Sequence, residues 1–303
     1  MSKGKILITP RSLSKNGHPL LRKLEDAGYE VFRPFPGKQP DEEELLSILP
    51  DCIGYLAGVE KISAGVLEHC PDLKVISRNG VGTDNVDSAA AEKLGIALRI
   101  TPGANARGVA ELAVSLMLSL VRSIPKTNES LKNGGWERFR GIEIFGRKLG
   151  IIGTGQIGRK VASMAAGLDM EVLGYDPFPS PGLSYAPLKE VLGKCDILTL
   201  HCPAEEKPII DEEALKLVRK GCFLVNTARS ALVDRKALLH ALESGQIAGY
   251  AVDAFDCEPP VMNDLYRHPK VIMTAHIGGF TEESVYRATD AAVENILDTL
   301  ENH

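Results

Sequence analysis

The chain has no apolar run long enough to cross a membrane: its longest, across residues 109–121, is interrupted by Glu111 and falls short of the roughly 20 residues that a spanning helix needs. The amino terminus, MSKGKILITPRS, carries only a short apolar run between charges, so it lacks the apolar centre of a secretory signal. There is no CxxC pair among the six cysteines Cys52, Cys70, Cys195, Cys202, Cys222 and Cys257. Without a signal to an oxidising compartment, these are expected to be reduced, mostly buried thiols of a cytoplasmic protein. His201 and Cys202 are adjacent, yet no second ligand pair lies at a supporting spacing, and no metal site is expected. Blocks of like charge are also missing: 40 acids and 35 bases are interspersed and leave a net charge of −5, which argues against a nucleic-acid arm or an acidic tail.

What is present is an ordinary globular mixture, 44% hydrophobic over 303 residues, long enough for two domains with a core each. In the first third, the β-like runs KILIT, YEVF, CIGYLAG, LKVISR and IALRI alternate with LLRKLEDAG, DEEELLSIL, ISAGVLEHC and VDSAAAEKLG. Strands separated by segments of helical period indicate βαβ crossovers and a parallel sheet. After TPGAN comes ARGVAELAVSLMLSLVRSI, apolar nearly all round, as suits a helix buried between domains or subunits. Residues 101–103 are a candidate hinge, and PKTNESLKNGGWERFRGIEIFG reads as a loop-rich link. The alternation then resumes through KLGII, EVLGYD, DILTLHC, CFLVNTA, IAGYAVDAF and VIMTAHIGG, and a last helix, TEESVYRATDAAVENILDTLE, has no strand after it. The fold class expected is α/β.

GTGQIG fits the GxGxxG pattern at Gly153, Gly155 and Gly158. Gly153 would make the tight turn after a strand, Gly155 would let backbone amides approach a pyrophosphate at a helix start, and Gly158 would allow close packing of helix and strand. The context agrees: KLGII precedes, IGRKVASMAAGL follows, and the next strand ends at Asp176, 18 residues past Gly158. An acid there accepts ribose hydroxyls and repels a 2′-phosphate, and Pro177, Phe178 and Pro179 offer no arginine to hold one, so NAD is favoured over NADP. The plainer reading of Asp176 is a solvated loop acid.

Three residues past strand ends could carry chemistry. Arg229, in FLVNTARSALVD, is either a surface ion-pair partner or a fork for a carboxylate. Glu258 lies in YAVDAFDCEPP and His276 in VIMTAHIGG. A lone histidine is more often merely hydrogen-bonded, but a carboxylate beside it favours the imidazolium and suits a group that gives and takes a proton near neutral pH.

Taken in order, SRNGVGTDNVD, TPGANARGVAELAV, LGIIGTGQIGRKVA, VNTARSALVD, AVDAFDCEPP and HIGGFTEES resemble the D-isomer-specific 2-hydroxyacid dehydrogenase family, most of all its phosphoglycerate dehydrogenase branch. They span residues 77–284. The resemblance implies a Rossmann-type doubly wound cofactor domain, residues 102–282, inserted into a smaller flavodoxin-like α/β substrate domain, residues 1–101 plus 283–303. That insertion would explain why a nucleotide motif stands in mid-chain. It also implies an NAD-dependent enzyme in which Arg229 holds the carboxylate of a small anionic 2-hydroxy or 2-oxo acid, His276 takes the hydroxyl proton and Glu258 orients His276. Asn79 and Gly80 would hold the substrate as well. Val81, the motif residues Gly153, Gly155, Gln156, Ile157 and Gly158, then Asp176, Cys202, Pro203, Thr227, Ala228, Arg229, Asp253, His276, Gly278 and Gly279 would line the cofactor, with Asp253 near the carboxamide. A homodimer through the cofactor domain, using the helix from Asn105, is implied, with neither nucleic acid nor membrane as partner.

The first substrate expected is 3-phosphoglycerate, with hydroxypyruvate or glyoxylate reduction the alternative and an NAD-sensing binding protein, like the corepressors of this fold, a third. Glu258 sets the chain apart from related formate enzymes, which carry an amide there. Ser230 stands where glycine is common after the arginine, and Ile100 where asparagine is common before the hinge. LAGVEKIS lacks an arginine found in many phosphoglycerate dehydrogenases, for which Arg78, Arg99 or Lys61 would have to substitute. The chain ends at His303 without the regulatory extension of many relatives, so feedback through such a domain is not expected.

Overall fold

Among the described residues, eleven short strands form two parallel sheets, and the burial of both faces of each sheet sets the architecture. The computed structural model describes residues 2–302. It divides into two compact units, one running through Asn105 and resuming at Glu282, the other Ala106–Thr281.

In the first unit, β1 (Lys5–Ile8), β2 (Glu30–Phe32), β3 (Gly54–Ala57), β4 (Val75–Arg78) and β5 (Ala97–Arg99) lie in the order 2-1-3-4-5, all parallel. This is the flavodoxin-like order, with its switch point between β1 and β3. Side chains alternate across the sheet as the pleat requires. Leu7, Tyr55 and Ile76 enter one core with Leu45, Leu49 and Val66, while Ile6, Ile8, Leu56 and Val75 enter another with Ala292, Val293 and Ile296.

The second unit orders β6 (Lys148–Ile152), β7 (Glu171–Tyr175), β8 (Ile197–Leu200), β9 (Cys222–Asn226), β10 (Ile247–Val252) and β11 (Val271–Met273) as 11-10-9-8-6-7, again all parallel. A parallel bridge from Gly174 to Tyr185 stands beside β7 where the Rossmann order would place a further strand. Helix α1 (Ala106–Val121) buries Ala110, Ala113, Met117 and Leu120 in one core of this unit with Val161 and Ala165 of α2 (Gln156–Ala166). The nearly all-round apolar pattern of α1 is thus largely met inside its own unit. On the other face, Leu198, Leu200, Leu224 and Val252 pack with Leu238 and Leu242 of α3 (Arg235–Glu243).

One expectation is corrected. The segment read as a link is partly helical, Ile124–Lys132, set off from α1 by a left-handed Ser123 (φ 52°) and bent 64° from it. Pro125 is tolerated because the first turn of a helix has no use for its missing amide, and the helix buries no residue, which is why apolar periodicity missed it. No single helix among the described residues is long and apolar enough to cross a membrane.

The final helix, α4 (Glu282–Glu301), belongs to the first unit. Asn295 donates to Ser77 Oγ at 3.3 Å and to the Ile100 carbonyl at 3.0 Å. Ile296 is fully buried, so Ile296→Ala should lower the stability of this unit by about 2–5 kcal/mol, read as an earlier transition in urea; an unchanged transition would show that α4 is dispensable to that core.

Candidate active site

The polar residues of interest lie on turns at the carboxyl ends of parallel strands, where open α/β sheets present their crevices. The first such turn follows β6. Gly153 has φ 91°, and a Cβ on it would come within 2.5 Å of the His201–Cys202 backbone; a Cβ on Gly158 would come within 2.1 Å of the Gly153 carbonyl. Both positions are closed to any side chain by the protein itself. Gly155 differs: a Cβ there would meet nothing within 4 Å. It is the N-cap of α2 and no side chain caps the helix. The open approach and the uncapped amides fit a dinucleotide pyrophosphate; Gln156 and Ile157 open that helix.

Asp176 lies just past β7. Its Oδ2 accepts from Thr154 N at 2.7 Å and Thr154 Oγ1 at 3.1 Å, and its Oδ1 accepts from Phe178 N at 2.9 Å. Burial pushes the carboxyl up, but these bonds outweigh it and hold the pKa below the usual value. Thr154 also meets Tyr185 Oη at 3.0 Å, which accepts from Ser180 N. Asp176 is therefore an ionised acid tied to the glycine-rich turn rather than a free loop acid. Cys202, half-buried after β8, has its thiol pushed up to about 11 by burial, and Pro203 beside it is exposed. His201 is pushed down to about 3, also by burial. No cluster of three metal-ligating side chains occurs among the described residues.

Past β9, Asn226 shapes the turn. Its Oδ1 accepts from Ala228 N at 3.1 Å and its Nδ2 donates to the Arg229 carbonyl at 2.8 Å. Thr227 Oγ1 is buried with no partner, an arrangement that costs about 1–3 kcal/mol unless an incoming group satisfies it. Arg229 Nη1 donates to the Ala228 carbonyl at 2.8 Å.

Glu258 and His276, from the turns after β10 and β11, meet directly: His276 Nδ1 lies 2.6 Å from Glu258 Oε1. The Glu258 bond raises the His276 pKa above 6.5, burial opposes it, and the positive charge of Arg229 also pulls it down, so the guanidinium is within electrostatic reach of the ring. The His276 backbone is left-handed, φ 53°, costly for a residue with a Cβ. Buried Asp253 holds it there. Its Oδ1 accepts from Thr274 Oγ1 at 2.6 Å and Ile277 N at 2.9 Å, and its Oδ2 from Gly278 N at 2.8 Å. Both Asp253 oxygens are thus committed to the turn that carries His276, Gly278 and Gly279.

Asn79, Gly80 and Val81 belong to the first unit, past β4. Asn79 Oδ1 is buried without a partner, and a Cβ on Gly80 would meet nothing within 4 Å, which leaves backbone open to a small ligand. Val81 is exposed. Sequence reasoning missed Glu60 on the same edge. It is almost fully buried, and its Oε1 accepts from Tyr55 Oη at 2.6 Å, Gly58 N at 2.7 Å and the Thr9 hydroxyl. Of the substitute cations, Arg78 is buried and donates to the carbonyls of Ala57 and Gly82, while Lys61 and Arg99 are exposed.

The family described as "D-isomer specific 2-hydroxyacid dehydrogenase, NAD binding domain" matches residues 114–278. The chain is 38% identical over 298 residues to the D-3-phosphoglycerate dehydrogenase of Pongo abelii, covering 94% of this chain and 55% of that protein. It is 36% identical over 271 residues to the hydroxypyruvate reductase of Thermotoga maritima, covering 86% and 89%. The chain thus spans about half the length of the phosphoglycerate dehydrogenase it matches. The TT0316 protein of Thermus thermophilus superposes with a TM-score of 0.91 at 31% identity, covering 99% of this chain and 97% of that one.

The Glu258–His276 contact has a direct spectroscopic consequence. In an NMR titration His276 should protonate above 6.5, and Glu258→Gln should bring its midpoint down; a midpoint that ignores the substitution would show that the carboxylate does not stabilise the imidazolium.

Proposed function

The chain belongs to the D-isomer-specific 2-hydroxyacid dehydrogenase family, and we propose that it interconverts a D-2-hydroxy acid and its 2-oxo acid with NAD. The cofactor assignment follows from the NAD-binding domain of that family, and the residues fit it: Gly155 leaves an open approach to the start of α2, and Asp176 is an ionised acceptor for ribose hydroxyls. Bound NAD would supply the hydride acceptor. The observation that carries the reading is the His276–Glu258 pair, with Arg229 in electrostatic reach.

In oxidation, Arg229 grips the substrate carboxylate and polarises the oxygen at C2. The Nδ1 of His276 is engaged by Glu258, so Nε2 is the atom that takes the hydroxyl proton, and in reduction it returns it. Glu258 holds the ring in place and favours its charged form. Asn79 and Gly80, in the first unit, offer open backbone to a small anionic acid. A raised His276 pKa means that reduction, which needs the imidazolium, fades as pH rises through it, and oxidation gains over the same range.

3-Phosphoglycerate is the first substrate to test. A second reading, hydroxypyruvate or glyoxylate, is favoured by Glu60: Gly58 N and the hydroxyls of Thr9 and Tyr55, at the switch point of the first sheet, already serve an internal carboxylate, leaving them no role in binding an added phosphate. We further propose a homodimer through the second unit, because Ile124, Leu131, Trp136 and Phe145 expose apolar surface along the segment after α1. The six free thiols, four of them buried, fit a reducing compartment such as the cytoplasm.

Steady-state turnover of 3-phosphoglycerate, D-glycerate, hydroxypyruvate and glyoxylate tests the activity. His276→Ala and Arg229→Ala should each cut the chemical step by ~100-fold or more with NAD affinity nearly kept; turnover unchanged in either removes that residue from the mechanism, and NAD binding without turnover of any of these acids leaves the sensor reading. Light scattering should give twice the 32.7 kDa chain mass, and Trp136→Asp with Phe145→Asp should halve it; a wild-type monomer would overturn the dimer.

A further inference from the structure

The three turns that carry Arg229, Glu258 and His276 are joined by more than the Glu258–His276 contact. Ser230 directly follows Arg229, is 9% exposed, and donates its hydroxyl to Asp256 Oδ1. Asp256 lies two residues before Glu258. Its other oxygen takes Arg235 Nη1 at 2.5 Å, and Arg235 is the first residue of α3. Just before Asp256, Phe255 stands edge-on to Tyr266, with ring centroids 5.3 Å apart.

We propose that Ser230 and Asp256 form a brace between the turn of Arg229 and the turn of Glu258, and that both are positioning residues for the proton-transferring pair. The geometry gives the brace its leverage. Glu258 Oε1 receives both His276 Nδ1 at 2.6 Å and, at 3.4 Å, the Phe255 amide, so the place of that oxygen follows the backbone next to Asp256. Asp253 fixes the start of the same turn through the His276 loop. Asp256 is the tie further along, and its two partners come from the segment that begins at Arg229. A glycine at position 230 could not make this bond. A charge-assisted hydrogen bond weakens steeply with distance and angle, so loosening the turn makes Glu258 a poorer partner for the imidazolium.

This proposal rests on the dehydrogenase reading, and the experiment separates the two. Ser230→Ala and Asp256→Ala should each lower kcat for 2-oxo acid reduction about 3- to 10-fold and move the descending limb of its pH profile to lower pH, with the KM for NADH nearly unchanged. The double variant should be no worse than the poorer single one, because both remove the same bond. Ser230→Thr, which keeps the hydroxyl, should restore the limb. A limb that stays in place, or single effects that multiply in the double variant, overturns the brace. Asp256 is partly exposed, and its alanine variant checks the proposal independently of any fold defect at Ser230. If the wild-type protein turns over no 2-hydroxy acid, the dehydrogenase reading fails, and the brace is judged by NMR alone: the His276 midpoint falls in Asp256→Ala if it holds and stays if it does not.

Discussion

A parallel sheet buried on both faces can present side chains to a ligand only at its strand ends, and this constraint organises both units. β3, β4 and β8 are buried at every position, so groups that must meet a ligand cannot stand within the sheet itself. They gather instead on the turns after β6, β7, β9, β10 and β11. Each turn then needs its own local device to hold a shape that strand pairing no longer dictates. Thr154 ties Asp176 to the glycine-rich turn, Asn226 folds the turn of Arg229, and Asp253 pins the left-handed His276.

These devices divide what the sequence makes legible from what it does not. The strands are apolar runs bounded by helical period, so the alternation of KILIT, YEVF and their successors is enough to read two parallel sheets. The glycine pattern and Asp176 are legible because their spacing is local. The side-chain ties are not: Asp253 and Thr274 are 21 positions apart, and Ser230 and Asp256 are 26, and such pairs depend on which strands are neighbours. The contact between Glu258 and His276 is legible only through the family resemblance, since spacing alone places each residue past a strand but not its partner.

Other elements were hidden because their signal runs against the usual one. Tyr185 stands where a further strand would be, but as one bridge it leaves no periodic trace. Ile124–Lys132 is helical without a buried face. Glu60, between the CIGYLAG and ISAGVLEHC runs, is a core residue because three donors converge on it, and nothing in VEKIS announces that. Burying a carboxylate is tolerable when each of its bonds is made by a donor already fixed by the sheet.

The packing of α4 bears on how the molecule is made. One face of the first sheet is covered by Ala292, Val293 and Ile296, residues synthesised after the whole of the second unit. A chain emerging from the ribosome therefore packs Ile6, Ile8, Leu56 and Val75 only against early residues such as Leu13, Leu21, Leu24 and Tyr29 until α4 appears, whereas the contiguous second unit has its full complement of side chains by Thr281. The part of the protein made first is the part that must wait to be finished, and its half-covered apolar face is what a nascent-chain chaperone would meet.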